Sequence, residues 1–108
     1  MKVLKVLKLK ARVKVRLKAR FSAICPVSKT KDDYTILIEY EPDKNNPLYV
    51  ELSSLRRYLD SYRDKAIFHE ALAEKIAKDL HSLLKPKSLR VVLYSSYLGI
   101  NVEVEARR

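Results

Sequence analysis

The sequence predicts an α+β fold, with four antiparallel strands in the order ββααββ and two helices on one face of the sheet. Three observations predict it. Residues 8–20 alternate basic and apolar side chains, and residues 51–83 space their leucines and tyrosines at helical intervals. Residues 89–106 then return to alternation around Gly99, the one glycine of the chain. With 108 residues and 12.6 kDa, the chain is expected to form a single domain, 1–108, whose first twenty residues are a basic strand segment.

Each element has its own signal. Lys8, Lys10, Arg12, Lys14, Arg16, Lys18 and Arg20 take the even positions, with Leu9, Ala11, Val13, Val15, Leu17 and Ala19 between them. Period two makes this a strand with one basic and one apolar face. Residues 34–41 are β-branched and aromatic enough for a second strand, which ends in the loop from Pro42 to Pro47. Leu52, Leu55, Leu59 and Tyr62 share one face of a helix that runs to about Arg63. Phe68, Leu72, Ile76, Leu80 and Leu83 mark a longer helix that stops before Pro86. Residues 89–95 and 100–106 read as two strands with a hairpin turn at Gly99. Such a sheet leaves one face bare in so small a chain, and another sheet or subunit is expected to cover it.

Charge is unevenly placed. The formal net charge is +10 and the pI about 9.8, yet the first twenty residues hold nine basic residues and no acid, and the rest is close to neutral. Seven cations on one strand face exceed what protection of a sheet edge requires. Lys10, Arg12, Lys14, Arg16 and Lys18 are therefore expected to track a phosphate backbone. At 47% hydrophobic the chain is not disordered. Its longest apolar run, Val91 to Tyr94, is too short for a membrane helix or a secretory signal, so a cytoplasmic protein without membrane association is expected. One cysteine excludes a disulfide framework, and two distant histidines argue against a zinc cluster.

Cys25 precedes Pro26 just past the basic strand, and Asp32 follows in the next loop. A thiolate is a strong nucleophile and a nearby carboxylate shuttles protons. A lone cysteine is more often a small buried hydrophobe, however, and an aspartate among lysines is usually solvated. Four segments change that balance when taken together: Cys25-Pro26-Val27-Ser28 with Asp32, Ile38 to Asp43, Val50 to Arg63, and Ile67-Phe68-His69-Glu70. In order and spacing they resemble the QueF family, the nitrile reductases of 7-deazaguanine metabolism, from about Phe21 to Ile100.

The resemblance implies the tunnelling fold (T-fold), also ββααββ, closed into an oligomeric barrel. A homo-oligomer, pentamer or decamer, follows, with active sites between subunits. It implies that Cys25 attacks the nitrile carbon of 7-cyano-7-deazaguanine to give a covalent thioimide, and that Asp32 donates the proton. Glu70 then accepts hydrogen bonds from the guanine-like edge, with His69 beside it, while Val50, Glu51, Leu52 and Ser61 line the pocket. Without the resemblance, Glu70 reads as a carboxylate favoured at a helix start and His69 as a surface histidine.

The departures from the reductases have direction. Ser53 stands where they carry a lysine of the NADPH site, and Ser96-Tyr97-Leu98-Gly99 replaces their Pro-Arg-Gly-Gly element, which removes an arginine. A cofactor's phosphates need such cations. With a basic strand added, the combination resembles the archaeal QueF-like enzymes, which convert the nitrile base in tRNA to the amidine of archaeosine. The expected activity is thus an amidinotransferase acting on tRNA, with ammonia as co-substrate and without NADPH or metal. Two alternatives stand beside it: an NADPH-dependent reductase of the free nitrile base, and a non-catalytic RNA-binding module on the same scaffold.

Overall fold

A computed structural model describes residues 3–108; Lys2, one of the nine early cations, lies outside them. Eight elements follow in order: β1 (Val6–Lys8), β2 (Val15–Ile24), β3 (Lys31–Glu41), β4 (Leu48–Val50), α1 (Leu52–Asp60), α2 (His69–Leu84), β5 (Ser88–Tyr97) and β6 (Ile100–Arg107). The main sheet is antiparallel with strand order β2-β3-β5-β6, and β1 pairs with β4 in a small second sheet. The predicted α+β architecture is present: four antiparallel strands, and two helices inserted between β3 and β5.

The basic segment departs from its expected form. It is not one strand over 8–20, because β1 ends at Lys8 and β2 begins only at Val15. The chain between them crosses from the small sheet to the main one. Its backbone groups are met by a side chain instead of a ladder: the Tyr49 hydroxyl donates to the Ala11 carbonyl at 2.7 Å and accepts from the Val13 amide at 3.3 Å. Lys10, Arg12 and Lys14 therefore lie outside the strand. The pairing of β1 with β4, Val6 opposite Val50, is invisible to a reading by periodicity because each strand has three residues. Phe68 also moves: it sits at the N-cap of α2, 53% exposed, and not on the helix's apolar face.

The core forms on the helix-bearing face. Phe21 and Ala23 of β2, Tyr34, Ile36, Ile38 and Tyr40 of β3, and Leu89, Val91 and Leu93 of β5 are buried there at period two. The helices bring Leu55 and Leu59 from α1, and Leu72, Ile76, Leu80 and Leu84 from α2. α1 lies against β2, and α2 crosses β5 and β6. The helices are joined by a buried polar chain in which Tyr58 donates to Asp79 Oδ2 at 2.6 Å, meets Tyr62 at 2.9 Å, and Lys75 Nζ holds Asp79 at 2.8 Å. Burial, and then the bond to Asp79, push the Tyr58 phenol far above its ordinary range.

On the other face Leu37 and Val92 are buried yet separate from the main core. They lie in one row with Lys18 and Glu105, whose long side chains flank them. The β5–β6 turn has positive φ at Leu98 (53°) and Gly99 (76°), the type I′ geometry that suits the right-handed twist of a two-residue hairpin.

α2 ends on Lys85 in the left-handed region, φ 45°, where glycine is the usual residue. Lys85→Gly is expected to stabilise the fold by roughly 0.5–1 kcal/mol by relieving the Cβ penalty. Thermal unfolding should show a midpoint several degrees higher. A lowered midpoint would mean that the lysine side chain contributes more than its backbone strain costs.

Candidate active site between β2, β3 and the start of α2

β2 runs out at Ile24, and the chain turns back into β3 through residues 25–30. The Cys25 amide donates to the Thr30 carbonyl at 2.8 Å, and the Lys29 amide returns to the Cys25 carbonyl at 2.9 Å. Register then fixes Asp32 opposite Ala23, beside the cysteine across the hairpin. A third segment is stitched on here. The Ile24 amide donates to the Lys65 carbonyl (2.9 Å) and the Ile67 amide to the Ile24 carbonyl (3.1 Å), a short parallel bridge. It holds the α1–α2 connection against the end of β2, so α2 opens with His69 and Glu70 at this end of the sheet, where the charge of Glu70 bears on Tyr34. His69 Nε2 lies 3.1 Å from Glu70 Oε2.

Tyr34 marks the centre. Its ring stacks on Phe21 at 5.4 Å, and its hydroxyl approaches Asp32 Oδ2 at 3.5 Å, long for such a bond. Burial raises the phenol well above its ordinary range, and the negative charges of Asp32, Cys25 and Glu70 raise it further. Two groups of the same hairpin and one from the start of α2 thus bear on one hydroxyl. Period two places Tyr34 on the same strand face as Asp32, so alternation along 31–41 was the signal that could have found it.

Cys25 is 7% exposed, yet its thiol is held below the ordinary value. The hydroxyl and then the backbone amide of Ser28 favour the thiolate, and they outweigh the desolvation that opposes it; Tyr97, at the end of β5, acts in the same direction. Such a thiol is nucleophilic nearer to neutral pH than a free cysteine.

Not every predicted site residue lies here. Val50 is buried in β4, where its amide donates to the Tyr40 hydroxyl at 3.1 Å. Tyr40 and Tyr34 are roughly 20 Å apart along β3, so Val50, Glu51 and Leu52 sit near the opposite end of the sheet from Cys25. Leu52 is 60% exposed. Ser61 ends α1 and donates to the Tyr58 carbonyl at 2.6 Å. One chain gathers Cys25, Asp32, His69 and Glu70 and leaves Val50 to Leu52 apart.

Glu51 has a local task as the N-cap of α1. Its carboxylate accepts from the Ser53 amide (2.7 Å), the Ser54 amide (2.9 Å) and the Ser53 hydroxyl (2.6 Å). These bonds, those from Ser53 first, hold its pKa down to about 2. A depressed carboxylate stabilises the fold fully above its unfolded value near 4.5, and this contribution disappears as pH falls through about 2. Urea midpoints measured between pH 6 and pH 2 should therefore fall less steeply for Glu51→Gln than for the wild type. Parallel curves would disconnect the cap from acid unfolding.

The cations of the basic segment differ in how they are engaged. Glu39 holds Arg16 at 2.6 Å, Arg90 at 3.5 Å and Lys14 at 3.8 Å. Among the described residues, Lys10, Arg12 and Lys18 form no ion pair. No helix among those residues is long and apolar enough to cross a membrane.

Comparison with known proteins places the chain in a family. The QueF-like protein family matches residues 32–108. The chain belongs to the QueF-like family. An archaeosine synthase from Pyrobaculum calidifontis is 35% identical over 92 residues, which cover 85% of this chain and 82% of that protein. An NADPH-dependent 7-cyano-7-deazaguanine reductase from Thermotoga petrophila is 40% identical over 86 residues, 79% of this chain and 61% of that protein. Against the corresponding reductase of Acidithiobacillus ferrooxidans the chain spans about half the relative's length, 49%. Among solved structures, the apo form of the archaeosine synthase QueF-Like superposes with a TM-score of 0.83 at 33% identity, covering 90% of this chain and 94% of that one. A dihydroneopterin aldolase from Vibrio cholerae, 14% identical with a TM-score of 0.56, shares the fold alone. The ββααββ subunit fold expected from the sequence is thereby established, and the relatives' names are those of enzymes.

Proposed function

We propose that this QueF-like chain is an enzyme of 7-deazaguanine chemistry that converts the nitrile of 7-cyano-7-deazaguanine in tRNA to an amidine, an archaeosine synthase. The observation that carries the reading is the hairpin that sets Asp32 opposite Ala23, two residues before Cys25, with the segment leading to His69 and Glu70 bonded to Ile24. A nitrile needs a nucleophile at carbon and a proton at nitrogen, and a thiolate beside a carboxyl supplies both.

The steps balance without an oxidant or reductant. Cys25 Sγ bonds to the nitrile carbon while Asp32 gives a proton to the nitrogen, which leaves a thioimide. Ammonia adds to the same carbon, the C–S bond breaks, and the thiolate returns as the amidine forms; one proton lost by the added nitrogen goes back to Asp32. Glu70, with His69, accepts from the guanine-like edge of the base. Val50, Glu51, Leu52 and Ser61 belong to the same pocket in this proposal, and a neighbouring copy brings the Val50 segment to the Cys25 end. A ring of copies, pentamer or decamer, does this and pairs the free edges of β2 and β6. Lys10, Arg12 and Lys18 carry the contact to tRNA, with Lys14 and Arg16 contributing less because Glu39 neutralises them.

The two positions matched to the reductases' cofactor cations do not suit a dinucleotide phosphate. Ser53 is tied to Glu51, and Tyr97 precedes the tight turn at Leu98 and faces the thiol. The identity to reductases, 40% for the Thermotoga petrophila protein, favours the second reading, an NADPH-dependent nitrile reductase. Product analysis with nitrile-bearing tRNA, an ammonium salt and no NADPH separates them, since only the amidine reading yields product.

A further inference from the structure

A cavity whose lining does not include the thiol opens on the helix-free face, where the sheet comes apart. β3 and β5 pair from Glu41 opposite Ser88 up to Thr35 opposite Tyr94 and no further. Beyond that point Lys31 to Tyr34 pair only with β2, while Ser95 to Tyr97 pair only with β6. The split opens a cleft of about 750 Å³, within the roughly 300–1,000 Å³ typical of ligand sites. Arg20, Thr35 and Tyr94 lie in one row across its floor, and Arg63 reaches it from the end of α1.

Its charges are not balanced. Two carboxylates line it, but Asp60 is held by Arg56 at 2.8 Å and Asp33 by Lys31 at 3.5 Å. Arg20 and Arg63 have no carboxylate within 4.0 Å among the described residues. Arg16, by contrast, is neutralised by Glu39. Lys31, Asp33 and Tyr34 of its lining flank Asp32 along β3, so the cleft adjoins the hairpin that carries Cys25.

We propose that the cleft between β3 and β5 is a phosphodiester subsite, in which Arg20 and Arg63 clamp the RNA strand that carries the target base. The inference rests on the proposed activity on RNA. Two arginines lining one cleft suit the bidentate recognition of phosphate oxygens, and Tyr94 beside them suits an adjoining ribose or base. The subsite positions the RNA strand; the reacting atoms stay with Cys25.

The test is the salt dependence of tRNA binding by the intact protein. In R20Q/R63Q the log–log slope should fall by about 0.7–0.9 for each lost contact, and affinity should drop roughly tenfold or more. K14Q/R16Q, which leaves Glu39 paired with Arg90, should change the slope by less than half as much. Near-UV circular dichroism matching the wild type establishes that each variant is folded; a variant that unfolds is replaced by R20K/R63K, which keeps charge but loses the fork and should lose affinity while retaining the slope. An unchanged slope and affinity in R20Q/R63Q, with wild-type protein still modifying tRNA, overturns the subsite and leaves the proposed function standing. Lost NADPH binding with unchanged tRNA binding would assign the cleft to a dinucleotide phosphate and overturn the subsite as stated. Wild-type protein that binds no RNA at all overturns both.

Discussion

Replacement of Cys25 by alanine is expected to abolish both the thioimide absorbance and turnover. The effect should be the largest of any single change, because the proposed reaction then lacks its nucleophile and must rely on direct attack of ammonia on an unactivated nitrile. Folding should survive: a side chain 7% exposed at the mouth of a turn leaves a small cavity and no broken backbone bond. Intact-mass analysis after incubation with the nitrile base checks the covalent step directly, with an adduct on the wild type and none on Cys25→Ala. Amidine formation by the variant would remove Cys25 from the mechanism. Asp32→Asn should behave differently. It keeps a side chain of nearly the same shape beside Tyr34 but removes the proton donor, so kcat should fall by roughly 10²–10⁴-fold while substrate binding changes little. Equal damage to binding would make Asp32 a substrate contact.

Purified protein given nitrile-bearing tRNA and an ammonium salt is expected to make the amidine with NADPH absent, and to make no aminomethyl product with NADPH present and ammonium absent. Reduction of a nitrile to an amine takes four electrons, and each hydride requires a bound cofactor. A phosphate contact to a charged side chain is worth roughly 1.5–3 kcal/mol. Loss of both the lysine and the arginine, here Ser53 and Tyr97, is therefore expected to weaken cofactor binding by more than about a hundredfold. Ser53 gives no relief, since its hydroxyl is committed to Glu51. The thioimide does not depend on those contacts and remains open to ammonia, which needs no dedicated site. NADPH oxidation coupled to loss of the nitrile would restore the reductase reading.

Much of this protein was legible before any coordinates. Period two along β2 and β6 and helical spacing along α1 and α2 follow from which side chains must leave water, and burial on one face is the main force that shapes each element. Gly99 marked its turn because two successive positive φ values are needed there, although it takes Leu98 as the other. Cys25, Asp32, His69 and Glu70 were legible as a group only through their resemblance to a family, since each alone has a bland explanation. Tyr34 does not stand out in the sequence for the opposite reason: a tyrosine in a β-rich stretch looks like core, and only its hydroxyl's surroundings set it apart.

By itself the sequence determined the element types, their order, the apolar face of each and the excess of cations at the start, because those depend on local periodicity and composition. Tertiary structure alone decided three things. It broke the basic segment at residues 9–14, since the side chain of Tyr49 satisfies backbone that would otherwise have demanded a strand partner. It laid the α1–α2 connection on Ile24, which brings the start of α2 to the Cys25 end of the sheet through two backbone bonds that carry no sequence signature. It also sorted the cations, neutralising Arg16 through Glu39 across the strand while leaving Arg20 and Arg63 open over the split in the sheet. The physical reason is common to all three. Hydrogen bonds and ion pairs between distant segments depend on register and distance, and neither is defined until the strands have paired.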